Sequence, residues 1–82
     1  MSEERLKTYA TIIIRSVYAT NSIDPDVLIE DIDTYFNHKV KRDQIEYIVH
    51  NGLPHLLKNP HLFKDDVLTE DGILVAQGKA GL

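Results

Sequence analysis

The chain has 82 residues, of which 43% are apolar and 27% are charged, and it contains no cysteine. This length allows one domain, and the composition is that of a globular protein rather than a disordered chain. The lack of cysteine excludes disulfides and thiolate metal sites and fits a reducing compartment. Uninterrupted apolar runs such as residues 12–14 are far shorter than the roughly 20 residues that a membrane span needs. Because the chain also starts with acidic rather than basic side chains, we expect a cytoplasmic protein without a signal peptide or a membrane anchor.

The net charge of -4 is unevenly distributed along the chain. Residues 1–36 carry three basic and seven acidic side chains, a balance of 3 - 7 = -4, whereas residues 37–64 carry five basic and two acidic ones, a balance of 5 - 2 = +3. All four histidines lie in the second segment. They would add positive charge below neutrality, because free imidazole titrates near pH ~6.5. The acidic segment therefore suits a basic partner and the basic segment an anionic one.

Helical periodicity predicts a first helix over residues 3–20. Its expected buried stripe consists of apolar side chains spaced three and four residues apart, Leu6, Ala10, Ile13, Ile14 and Val17. Tyr9 and Ile12 lie about 100° to the side of this stripe, so the apolar surface is wider than a simple surface helix needs. This flank predicts a homodimer contact through the first helix. Residues 11–18 are rich in β-branched side chains, and a strand there is the alternative.

The dipeptide Asp24-Pro25 predicts the start of a second helix, with the aspartate as N-cap and the proline at the first helical position. Its expected buried face contains Leu28, Ile29, Ile32, Tyr35 and Phe36. Three acids on the opposite side form what we name the acidic stripe, Asp26, Glu30 and Asp33. Such a stripe is either the solvated side of a helix or a docking surface for a basic protein. The candidate protein-binding residues are therefore the acidic stripe together with Tyr9 and Ile12.

A turn at residues 37–39 precedes a third predicted helix over residues 41–51. The apolar residues expected to contact the core there are Val40, Ile45 and Ile48. Gly52 and Pro54 are expected to end this helix.

Two interpretations remain open for the C-terminal part. Residues 67–69 and 73–75 can pair as a β-hairpin through an Asp-Gly turn, which we favour because Gly72 would weaken a helix by roughly 1 kcal/mol. Alternatively, Thr69 caps a last helix that runs through Ala76. Residues 78–82 are expected to form a frayed tail, so that residues 1–77 make up a single mainly α domain of three to four short helices.

The segment over residues 29–53 resembles the helix-turn-helix superfamily, and with a terminal hairpin the whole chain resembles a winged-helix domain. The resemblance implies that residues 41–51 are a recognition helix. The nucleic-acid-binding positions would then be Lys39, Lys41, Arg42 and Tyr47. Members of the family favour glycine in the turn, where this chain has Lys39. A longer turn with Asn37 in the left-handed conformation would accommodate that difference.

Motifs for catalysis or cofactor binding are missing from the sequence. It contains no serine or cysteine nucleophile motif, phosphate-binding glycine loop or zincin helix. His50, His55 and His61 are spaced five and six residues apart, which does not match the i, i+4 pair of a helical metal site. We therefore predict no enzyme, no metal and no cofactor. The predicted function is that of a small accessory or regulatory protein that binds another protein, and the alternative is a sequence-specific DNA-binding transcription regulator.

Overall fold

The computed structural model describes residues 3–82, so the first two residues of the predicted domain lie outside the described part. The elements in chain order are α1 (Glu3–Thr20), α2 (Pro25–Tyr35), α3 (Arg42–Leu57), β1 (Phe63–Lys64), β2 (Val67–Leu68) and α4 (Glu70–Ala76). The prediction of a mainly helical fold with a small hairpin towards the C-terminus is confirmed. None of the helices within residues 3–82 has the length and apolarity to cross a membrane.

Helix α1 spans the residues predicted for it, and the alternative of a strand over residues 11–18 is wrong. The threonine hydroxyls are satisfied inside the helix, because Thr11 and Thr20 each donate to the carbonyl four residues earlier. Ile13, Ile14 and Val17 are buried as expected. Leu6 was predicted to be buried but is 56% exposed, because the end of α1 that carries it borders an open hollow beside α3.

Helix α2 begins and ends through local hydrogen bonds. The Asp24 side chain accepts from the backbone N–H of Asp26, and Pro25 follows at the first helical position, as predicted. At the other end, Asn37 is left-handed with φ 53, and the N–H groups of Asn37 and His38 bond to carbonyls of the last turn. The predicted left-handed Asn37 is therefore confirmed. The connection between α2 and α3 spans residues 36–41.

Helix α3 continues to Leu57, so the prediction that Gly52 and Pro54 end it is wrong. A Cβ at position 52 would lie 2.8 Å from Cδ1 of Ile13, which shows that the glycine permits close packing of α3 on α1. Pro54 removes one backbone hydrogen bond near the C-terminal end of the helix. The buried side chains along this helix, which offset that loss, are Ile45, Val49 and Leu53.

The hairpin lies earlier in the chain than predicted, and a helix occupies residues 70–76. Phe63 pairs with Leu68 and Lys64 with Val67. Asp65 and Asp66 between them have φ 52 and 63, which is the backbone of a type I′ turn. Aspartate tolerates this conformation, although an Asn-Gly pair is its stronger sequence signal. The favoured hairpin over residues 67–75 is therefore wrong.

The alternative of a last helix capped by Thr69 is confirmed. The Thr69 hydroxyl oxygen accepts from the backbone N–H of Gly72 at 3.1 Å. A Cβ at position 72 would collide with the carbonyl oxygen of Leu62 and lie 2.8 Å from Cδ2 of Leu68. The low helix propensity of glycine is thus outweighed by close packing of α4 on the hairpin. Backbone bonds from residues 78–80 to the last turn of α4 extend the ordered C-terminal cap beyond the predicted boundary at residue 77.

Helix α1 is central to the packing because it contacts α2, α3 and α4. The core combines apolar side chains from all four helices with Leu62 and Phe63 from the segment before the hairpin turn. One strip of α1, between α2 and α3, carries apolar side chains that this packing covers incompletely. That strip contains Tyr9 and Ile12, the residues predicted to lie in a contact between subunits.

Candidate protein-docking face on helix α1

Three helices contribute side chains to the incompletely covered apolar strip. Leu6, Tyr35 and Tyr47 are 56%, 60% and 63% exposed, one from each of α1, α2 and α3. Tyr9, Ile12 and Ile48 lie between them and are half-buried. We name these residues the α1 face: Leu6, Tyr9, Ile12, Tyr35, Tyr47 and Ile48. Large apolar groups that share one surface of a small protein are typical of an interaction site.

The α1 face contains three adjoining hollows. The N-terminal hollow, between the first half of α1 and α3, has a volume of about 500 Å³. The central hollow measures about 230 Å³ and the C-terminal hollow, between α1 and α2, about 260 Å³. Tyr9 lines the first two and Ile12 lines the last two. The two residues predicted for a protein contact therefore separate neighbouring hollows, and we name this row of three hollows the groove.

Tyr35 projects at the C-terminal end of this groove, which contradicts its predicted burial. The rings of Tyr35 and Phe36 meet edge to face with centroids 5.2 Å apart. The guanidinium carbon of Arg15 lies 5.6 Å from the Tyr35 ring centroid. Helix α2 turns Asp33 inward, and a residue two positions further lies about 200° around the helix. Burial of Asp33 therefore places Tyr35 on the outside.

A buried polar pair between α1 and α2 lies at the C-terminal hollow. The Ser16 hydroxyl, in a side chain only 3% exposed, donates to Oδ2 of Asp31 at 2.7 Å. Sequence analysis did not identify this pair. The signal for it was a serine in the buried part of an apolar helix, because a buried hydroxyl requires a hydrogen-bond partner.

The acidic stripe does not form a continuous exposed surface. Asp26 and Glu30 are exposed, but Asp33 is 8% exposed, so its predicted place on the solvated face is wrong. Nδ1 of His38 lies 2.7 Å from Oδ2 of Asp33. Backbone geometry explains the arrangement. Asn37 and His38 are both left-handed, and this turn brings the His38 side chain back to the Asp33 carboxylate.

Arg42 joins the acidic stripe to the predicted recognition helix. Its guanidinium donates to the carboxylate of Glu30 and lies 3.9 Å from Asp33 and 3.6 Å from Glu46. The hydrogen bond that Arg42 donates to Glu30, and then the charge of Glu30, raise the pKa of Arg42 above its ordinary value. We name the five residues of this cluster the Arg42 network: Glu30, Asp33, His38, Arg42 and Glu46. The network therefore contains residues that the sequence predicted for two different surfaces: Glu30 and Asp33 for protein binding, and Arg42 for nucleic-acid binding.

The other predicted nucleic-acid-binding residues are divided between two places. Lys39 and Lys41 are exposed in the connection that precedes α3. Tyr47 lines the N-terminal hollow, so the structure places it on the α1 face rather than in the Arg42 network. His55 also lines that hollow. Among the side chains that the structure describes, those of residues 5–82, no group of three or more His, Asp or Glu is arranged to hold a metal ion.

Comparison with known proteins adds no family to this description. No protein-family model, curated protein or solved structure matches the chain. The functional argument therefore depends on the geometry of the α1 face and the Arg42 network.

Proposed function

We propose that this chain is a small non-enzymatic accessory protein that acts in the cytoplasm by binding another protein through the α1 face. The observation that carries the proposal is the row of three hollows along α1, bordered by the exposed side chains of Leu6, Tyr35 and Tyr47. Tyrosine and arginine are enriched at the centres of protein interfaces, and Arg15 and Tyr35 form such a pair here.

The chemistry of the groove supports binding rather than catalysis. Its Asp31 carboxylate accepts from Ser16 in the C-terminal hollow, whereas His55 lies in the N-terminal hollow. An acid and a base that act together must reach the same proton or substrate atom. The groove offers instead apolar area with a few polar groups at its edges, which suits a protein surface.

The Arg42 network supports the same preference. A partner that used Glu30 or Arg42 would have to replace ion pairs that the protein already makes. Exposed ion pairs of this kind contribute little to binding by themselves. The exposed rings of Tyr35 and Tyr47, by contrast, would lose contact with water on binding and gain the hydrophobic contribution.

DNA binding through α3 is the second candidate function. Its specific support is the exposed pair Lys39 and Lys41, which the left-handed turn after α2 brings to the N-terminal end of α3. Two lysines beside a helix N-terminus would attract phosphates. Because Arg42 is already paired with acids, this candidate depends on the two lysines more than on Arg42.

Site-specific photo-crosslinking in cells tests the proposal. A photoreactive phenylalanine analogue replaces Tyr47 on the α1 face, and in a control chain it replaces Tyr18. Tyr18 is 45% exposed, accepts a hydrogen bond from Gln77 and lines none of the three hollows. We expect protein adducts from position 47 and few from position 18. Adducts from neither position, or equal adducts from both, would contradict the proposal.

A further inference from the structure

We infer that the partner of the α1 face is a second copy of this chain, bound with two-fold symmetry so that Tyr35 of each copy enters the N-terminal hollow of the other. This inference rests on the proposed function, because it names the partner of the same face. Three observations carry it: an ordered projecting ring, a hollow at the opposite end of the groove, and the charge of the groove.

The projecting group is held in place before binding. Tyr35 is 60% exposed, yet its ring is braced by Phe36 on one side and by the guanidinium of Arg15 on another. An aromatic side chain that is already ordered loses little conformational entropy when it is buried in an interface.

The receiving hollow suits an aromatic side chain with a polar tip. It has a volume of about 500 Å³, and its lining includes Leu6, Ala10 and Tyr47. Asn51 and His55 supply polar atoms at its edge. The Asn51 amide nitrogen donates to the Tyr47 carbonyl at 2.7 Å, which leaves the amide oxygen as an acceptor for a phenol hydroxyl.

The positions of the ring and the hollow match a two-fold axis. Tyr35 lies at the C-terminal hollow, beside the second half of α1, whereas the N-terminal hollow lies beside the first half. Tyr9 and Ile12 separate them. A two-fold axis near these two residues would place each Tyr35 opposite the hollow of the other copy. Such an interface makes the same contact twice, whereas a different protein would have to supply both a ring and a hollow of its own.

The charge of the groove permits two like-charged copies to meet. Each chain carries a net charge of -4, which opposes association. Among the described side chains of residues 5–82, the charged ones that line the hollows, with histidine taken as neutral, are Arg15 and Asp31, which balance each other. The acids of the Arg42 network are not among the lining residues. Pairing through the α1 face therefore brings two neutral surfaces together.

Complementary variants test this arrangement by sedimentation equilibrium on the purified full chain. Tyr35→Ala removes the ring, and Ala10→Trp fills the hollow. We expect each to raise the dissociation constant of the dimer about 30-fold or more, which corresponds to a loss of about 2 kcal/mol summed over the two symmetric contacts. Mixed together, the two variants should form a heterodimer. The Tyr35 ring of the Ala10→Trp variant enters the open hollow of the Tyr35→Ala variant, and the shortened side chain at position 35 faces the filled hollow. Tyr18→Ala is the matched control and should dimerise normally.

Folding is checked by circular dichroism, and Asn51→Trp, at an exposed position on the edge of the same hollow, replaces Ala10→Trp if that variant does not fold. A wild-type chain that is monomeric at high micromolar concentration would overturn the inference. So would a dimer that both variants leave intact, or variants that fail to combine. A monomer that still gives adducts with other proteins from position 47 would leave the proposed function standing, whereas a monomer without adducts would end both.

Discussion

The α1 face and the Arg42 network both use side chains of α2 and α3, but these side chains are satisfied in different ways. In the Arg42 network, acids of α2 and α3 surround one guanidinium, so that opposite charges compensate within the chain. On the α1 face, Leu6, Tyr35 and Tyr47 are more than half exposed. Part of the charge pattern, which is the more conspicuous feature of the sequence, is thus compensated within the chain. The less conspicuous apolar flank is the surface that we propose for a partner.

The largest expected effect comes from a charge in the middle of the α1 face. Ile12→Glu should weaken association through this face by about 100-fold, roughly 3 kcal/mol, because a carboxylate would be buried between apolar side chains. Analytical ultracentrifugation measures the change. The matched control is Val27→Glu, at an exposed apolar position of α2 outside the three hollows. If both variants weaken association equally, the effect comes from net charge. That result would contradict the assignment of association to the α1 face.

The second effect concerns the polar pair in the C-terminal hollow. Ser16→Ala should lower the free energy of unfolding by about 2 kcal/mol, because the Asp31 carboxylate loses a part-buried hydrogen bond. Urea denaturation measures this loss. Thr20→Ala is the control, since that hydroxyl bonds only to the carbonyl four residues earlier in its own helix and should matter little. Equal losses would show that Ser16 contributes by packing alone.

A smaller effect is expected in the Arg42 network. Asp33→Ala should lower the free energy of unfolding by about 1 kcal/mol, because one hydrogen bond is lost and the His38 side chain is exposed enough to bind water instead. The same substitution should leave the dissociation constant of the dimer unchanged. A loss of association comparable to that of Ile12→Glu would mean that the network, and not the α1 face, contacts the partner.

The smallest effect is expected in a DNA-binding assay, where we expect the protein to bind no DNA even near 50 mM salt. If DNA does bind, replacing Lys39 and Lys41 with alanine should reduce both affinity and its dependence on salt, because fewer counterions are released. Arg42→Ala should change either quantity less than the lysine pair, since its guanidinium is engaged by Glu30 and Glu46. A dominant effect of Arg42 would favour the second candidate function with α3 as the recognition element.

Features that depend on neighbours in the sequence were predictable. The N-cap at Asp24, the proline after it and the left-handed Asn37 follow from side chains and turns within a few residues. The Tyr9 and Ile12 flank was predictable for a similar reason, because the period of one helix defines it. The extent of α1 belongs to the same class. The Thr69 cap was identified for the same reason, but only as part of the alternative to the favoured hairpin.

Features that depend on distant contacts were not predictable. Gly52 and Gly72 seemed to be helix breakers, but each is needed where another element approaches closely, Ile13 in one case and Leu62 in the other. The inward turn of Asp33 and the outward turn of Tyr35 depend on how α2 rotates against α1 and α3. A single helix projection cannot decide that rotation, because both faces of α2 carry apolar groups next to acids.

The central position of α1 couples partner binding to the stability of the fold. This helix contacts the other three helices and also carries the proposed docking face, so such a partner would recognise only the folded chain. By mass action, a partner present at a hundred times its dissociation constant would add about 2.7 kcal/mol to the free energy of unfolding. The melting temperature should therefore rise with protein concentration. In a cell, chains without a partner would unfold more often and would be degraded by proteases sooner. Turnover would then adjust the amount of the protein to the supply of its partner.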